Sequence, residues 1–204
     1  IASRKILPPR IANLFAIEIS VIYFGLINWK KTKIRANEFT YHKDNSAQAL
    51  LLFLILVVGV EVFAMHIWII QYSSIIAWTL TIVSIYSAFQ FLAFAKSLSK
   101  RPYQITPTKL LLKYGILAQM EVDFANIKSI NRSSQSVELT EDLKTLSPLG
   151  ALDNHNVIIE FKNVQSFDSL YGFEKTAKSL LIFVDSRDEF IAAIKNKLPE
   201  ECQI

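Results

Sequence analysis

The chain has 204 residues, 51% of them hydrophobic and 20% charged, with a net charge of +4 and one cysteine. That apolar share excludes a disordered chain and an ordinary water-soluble domain, and a lone thiol excludes an internal disulfide or a paired-cysteine metal site. The charge is unevenly spread: 8 of the 22 basic and 4 of the 18 acidic residues precede residue 96, so the positive excess lies wholly in the N-terminal part. There it flanks apolar runs, which argues for membrane topology and against nucleic acid binding.

Residues Ile1–Pro9 are polar and basic and end in two prolines, which suits an extended approach to a helix. Ile11–Trp29 follows as an apolar run of 19 residues interrupted by Asn13 and Glu18. It is long enough to cross a bilayer, and its Ile, Leu, Val and Phe residues offset the roughly 2.5–3.5 kcal/mol that a charge costs at a helix centre. Crossing is therefore predicted, with an amphipathic helix lying in the interface as the rival. Lys30–Ser46 is a short loop dominated by Lys30, Lys31, Lys33, Arg35 and Lys43.

The stretch that organises the chain comes next. Two apolar runs, Ala47–Ile70 and Ile75–Phe94, are separated only by Gln71, Tyr72, Ser73 and Ser74. A hydrocarbon core about 30 Å thick needs roughly 20 apolar helical residues, so the pattern predicts a transmembrane hairpin. Its turn is uncharged, while Lys96, Lys100 and Arg101 follow the second run. Basic short loops mark the cytoplasmic side, so everything after the hairpin is expected in the cytoplasm and the protein in the cytoplasmic (inner) membrane. Trp68, Tyr72 and Trp78 at the turn, with Trp29 and Tyr41 opposite, read as aromatic belts.

From Lys96 onward the pattern changes to short strands: Tyr103–Thr106, Lys109–Tyr114 and Leu117–Asp123, punctuated by Pro107 and Gly115, with Asn126–Ile130 continuing the sheet. Residues 131–155 read as a long polar loop holding at most a strand at Val137–Thr140. Asn156–Lys162, Val164–Gly172 and Ser179–Val184 follow as strands. Asp185–Leu198 predicts an amphipathic helix with Ser186 as N-cap, Glu189 at the capping-box position and Pro199 as its stop. Asp185, Asp188 and Glu189 then serve the helix dipole and do not form a carboxylate site.

The run Tyr103-Gln-Ile-Thr-Pro-Thr-Lys-Leu-Leu-Leu-Lys-Tyr-Gly115, followed by Val122-Asp-Phe-Ala-Asn-Ile127, resembles the opening of bacterial membrane-anchored pleckstrin-homology-like (PH-like) domains, in which a transmembrane hairpin leads directly into such a strand pair. The resemblance implies a β-barrel capped by the last helix, and a role in binding or assembly. The fold class expected is thus a membrane α-helical part, residues 1–95, with two or three crossings (about 11–29, 47–70 and 75–94), joined to a mainly-β PH-like domain over 96–204. Lys109, Lys113 and Lys128 are interspersed with apolar residues, so no phosphoinositide-reading cluster is expected.

Chemistry is sought where polar groups fall inside the apolar runs. Glu18 and Glu61 lie near the middle of theirs and, if both helices cross, at similar depth. His66 stands five residues beyond Glu61, about 140° around the helix, which is not the spacing of a same-face metal pair. Either carboxylate is a candidate for a cation path or for pairing with a basic residue of a partner subunit; the plainer alternative is a neutral, hydrogen-bonded carboxyl. Ser84 and Ala88 form a small-xxx-small pair for close helix approach, within the hairpin or against another chain. His42 and His155 read as solvated loop residues. No nucleotide, protease, hydrolase or paired-cysteine motif occurs, so no enzyme activity, cofactor or metal is expected. The reading is an integral membrane scaffold or accessory subunit whose partners are the bilayer and a membrane or cytoplasmic protein, or a second copy. The alternative is a small subunit of a transport or ion-coupled complex using Glu18 and Glu61.

Overall fold

The computed structural model describes residues 9–30, 33–43, 45–133 and 139–198. The lead-in before Pro9, the stop at Pro199, Cys202 and part of the strand expected at Val137–Thr140 lie outside them; Leu139 and Thr140 are not in a strand. Helix α1 (Pro9–Ile22) continues into one wider π-type turn, Tyr23–Ile27. Two long helices follow, α2 (Ser46–Ile69) and α3 (Ser74–Leu98), packed side by side through the tight reversal predicted for Gln71–Ser74. Both start on polar caps: the Asn45 side chain accepts the Ala47 N–H at 2.8 Å, and the Ser73 hydroxyl that of Ile76 at 3.5 Å. Their apolar residues surround the whole helix, so most cannot face inward. Of the apolar 18-residue window in each, only 6% is buried within the molecule; both helices are long and apolar enough to cross a membrane.

The rest is a mixed sheet of eight strands. These are β1 (Glu38–Phe39), β2 (Tyr103–Ile105), β3 (Lys109–Tyr114), β4 (Ala118–Asp123), β5 (Ile127–Arg132), β6 (Leu143–Thr145), β7 (Val157–Asp168) and β8 (Glu174–Ile182). The order along the sheet is β1-β2-β3-β4-β7-β8-β6, with β5 also on β7. All pairs are antiparallel except β6 on β8. The long strand β7 makes this possible. Its register against β8 shifts between Glu160 and Gln165, so its first half takes β5 while its far end meets β4 at Gln119↔Asp168. Helix α4 (Arg187–Lys195) buries Phe190 and Ile194 against the sheet.

Several expectations are corrected. The sheet does not close: its path ends at β1 and β6, where a barrel was expected. The basic loop before the hairpin is not merely a connector. Its Glu38 and Phe39 pair with Gln104 and Tyr103 as an edge strand, too short to leave a periodic signal. Tyr41 is therefore no belt residue; it is 1% exposed, inside the sheet core. Residues 143–145 form β6 inside the segment expected to be loop, and the two strands expected at 156–162 and 164–172 are one bent strand. Ser186 makes no side-chain cap bond, since its ψ of 64° is not the extended backbone a capping hydroxyl needs.

Helix α1 is tied to both the sheet and α3. Near its start Asn13 lies so close to Gly172, in the β7–β8 connection, that a Cβ there would meet Asn13 Cγ at 2.8 Å. At its far end the Gly25 carbonyl accepts from Lys96 Nζ at 3.2 Å, and that ammonium sits 3.4 Å over the Trp29 ring. Both ends of α1 thus lie beside the sheet or the last turns of α3, and it does not run alongside the hairpin from end to end. Ala12, Val21 and Gly25 face the molecule, while Leu14, Phe15, Ile19, Ile22 and Leu26 are exposed.

Candidate functional site

Polar side chains meet apolar surroundings at three places. The first is the groove between α2 and α3, a cavity of about 210 Å³ whose polar lining is Glu61, His66, Thr81, Ser84 and Ser87. Thr81 Oγ1 donates to the Ala77 carbonyl at 2.9 Å, so its 2.7 Å bond with His66 Nδ1 has the imidazole as donor. That assigns the ring's tautomer and leaves its other nitrogen as an acceptor. Trp78 braces the ring edge-on at 5.0 Å. Glu61 and His66, expected on different faces, line the same groove because it is broad enough to be flanked by both. Glu61 is exposed, and Ser84 lines the groove while Ala88 is half-buried.

The second place is Glu18. Its carboxylate accepts from the Tyr86 hydroxyl and, at 3.4 Å, from the Gln90 amide, so α1 is fastened to α3 by its single acidic residue. Tyr86 and Gln90 are four apart and share a helix face, the only signal in the sequence for this pairing. They stand 12 and 16 residues from Ser74, whereas Glu61 is 8 residues from Ile69, so the two carboxylates are not level along the hairpin. The structure does not bring Glu18 and Glu61 together.

The third is the joint between α3 and the sheet. Gly115, in the β3–β4 turn, has φ +51°, and a Cβ would collide with the Ser97 hydroxyl and stand 3.2 Å from the Leu98 nitrogen. Several backbone polar groups around it are bonded. The Tyr41 hydroxyl accepts the Gly115 N–H at 2.7 Å and donates to the Lys113 carbonyl at 2.8 Å. Arg101 Nη1 donates to the Gly115 carbonyl at 2.9 Å, and Ser97 Oγ accepts the Ile116 N–H at 3.1 Å. Tyr41 stacks on Tyr103 and Tyr114, with ring centroids 4.4 and 5.4 Å away. Tyr114 donates to Asp153 Oδ2 at 2.5 Å, while Asp153 Oδ1 is buried with no hydrogen-bond partner among the described residues. Burial raises the pKa of all three phenols and lowers that of the Arg101 guanidinium. This cluster was not legible in the sequence, because its members come from segments up to 112 residues apart (Tyr41 to Asp153).

The loop histidines expected to be solvated are partly buried, and burial lowers the pKa of both His42 and His155. Lys109 and Lys128 face Asp123 at 4.0 Å and Glu160 at 3.4 Å across the strands. Among the described residues no three His, Cys, Asp or Glu side chains are grouped to hold a metal ion. Compared with protein-family models, curated proteins and solved structures, the chain matches none of them.

Proposed function

We propose that the chain is an integral membrane adaptor or accessory subunit. The α2–α3 hairpin crosses the bilayer and holds a PH-like, protein-binding sheet domain on the basic, cytoplasmic side. The observation that carries this reading is the contrast in cover: the hairpin leaves its apolar faces open, yet its end is bolted to a domain with an ordinary buried core. Such bare helices are stable in lipid, where outward-facing Leu, Ile and Phe are solvated. Lys30, Lys33, Arg35 and Lys100 cluster around the joint, where anionic headgroups and the inward positive bias place them. Helix α1 lies in the interface, its exposed Leu14, Phe15, Ile19 and Leu26 turned to the acyl boundary. The protein partner docks on the open β6 edge of the sheet and the segment leading to it.

Two measurements test this. The chain should resist alkaline extraction from membranes, and thiol labels placed before α1 and after α4 should react from the same, cytoplasmic side. A photo-crosslinker at Lys144 on β6 should give one discrete protein adduct, while one at Lys175 on β8 gives none. Extraction into the aqueous fraction, or labels reacting from opposite sides, would refute the topology; equal or absent adducts would refute the docking edge. The hydrogen bonds that Tyr86 and Gln90 donate to Glu18 favour the adaptor reading over the ion-coupled alternative.

A further inference from the structure

We infer that the α2–α3 groove receives a transmembrane helix of a partner subunit carrying a lysine or arginine at the level of Glu61. The inference rests on the bilayer-spanning reading of the hairpin and names the kind of chain it meets there.

Glu61 is exposed on α2 eight residues before its end, about 12 Å along the axis, well inside any hydrocarbon layer the hairpin spans. Among the described residues it makes no hydrogen bond or ion pair. Charged groups in that position pair with one another or line a polar cavity. The groove beside it is furnished with acceptors. The His66 ring spends its Nδ1 proton on Thr81 and keeps an accepting nitrogen, and Ser84 adds a hydroxyl. A carboxylate, an imidazole nitrogen and a hydroxyl complement an ammonium with three donors or a guanidinium with five. The small residues Ala77 and Ser84 let another helix come close.

A second copy of this chain does not meet that need. Between Ser46 and Leu98 the only basic side chain besides His66 is Lys96. It lies at the opposite end of the hairpin and is occupied by the Gly25 carbonyl and the Trp29 ring. Ile11–Trp29 contains no basic residue at all. The cation has to come from a different chain.

The test uses the full-length protein in phosphatidylcholine vesicles. Energy transfer is measured to synthetic Leu/Ala transmembrane peptides that differ only in one central residue, Lys or Leu. The Lys peptide should associate about tenfold more tightly than the Leu peptide. That preference should disappear in Glu61→Gln and be transferred to an Asp-bearing peptide in Glu61→Lys. Equal affinity for the two peptides, a Lys preference that survives Glu61→Gln, or self-association through Glu61 that excludes the Lys peptide would each overturn the inference. Protein that fails to float with the vesicles overturns it together with the membrane reading; protein that floats but ignores the lysine overturns this inference alone.

Discussion

In the sheet domain, apolar side chains take alternate places, whereas in the hairpin they take nearly all of them. Strand β4 alternates strictly, with Ala118, Met120 and Val122 buried and Gln119, Glu121 and Asp123 exposed. Along α2, by contrast, Phe53, Leu56, Val60 and Phe63 are 58–70% exposed. One region draws its stability from side chains locked against each other, the other from whatever medium surrounds it. The same kind of substitution should therefore cost much in one and little in the other.

The largest effect expected is in the sheet core. Ile159→Ala, at a position 0% exposed, should lower unfolding stability by about 3–4 kcal/mol, while Leu56→Ala on the outer face of α2 changes it by less than about 0.5 kcal/mol. Denaturant titration in micelles checks both, and comparable losses would erase the distinction. Next comes the joint between the regions. Gly115→Ala combines a left-handed backbone with a collision at Ser97 and should cost about 2–4 kcal/mol. Its signature is loss of the sheet's near-ultraviolet dichroism with the helical signal of the hairpin retained.

Tyr114→Phe removes the donor that Asp153 relies on and should cost about 1–3 kcal/mol by the same titration. The stacked phenols also set the behaviour in alkali. Burial raises the folded-state pKa of Tyr41, Tyr103 and Tyr114 above the unfolded value of about 10, so folding favours their neutral forms. That contribution is complete below about pH 10 and is lost as pH rises through the folded values. Phenolate absorbance should find these three of the seven tyrosines silent until the domain unfolds; ordinary titration of all seven would contradict the cluster. The smallest effect belongs to the docking of α1. Lys96→Met removes the cation over Trp29 and the bond to Gly25, at a cost of about 0.5–1 kcal/mol, read as a shift in indole emission.

The hairpin was legible because its signal is local: uninterrupted apolar length and a four-residue reversal. The strands around Lys109–Asp123 and the last helix were legible for the same reason, each carrying its own period. What could not be read are the features made by distant segments. β1 has two residues and pairs across more than sixty of sequence, Glu38 with Gln104. Tyr41 looks like an interfacial aromatic until β1 carries it into the core. Glu18 was singled out for the cost of its charge, but its partners Tyr86 and Gln90 were hidden because only their four-residue spacing marks them as donors on one face. The docking of α1 was hidden for a related reason: Asn13 meets Gly172 and Gly25 meets Lys96, and each contact joins segments more than seventy residues apart.

The joint at Gly115 has a mechanical consequence. Ser97 and Arg101 grip that turn from the end of α3, and Tyr41 grips it from inside the sheet, leaving no hinge between rod and domain. Sideways pressure on the rod from a neighbouring helix must then swing the whole domain as one stiff arm, turning a small tilt at one end into a larger displacement at the other. Paired spin labels on α3 and β8 should keep a single narrow separation whatever the rod leans against; a broad or bimodal one would show that the arm bends.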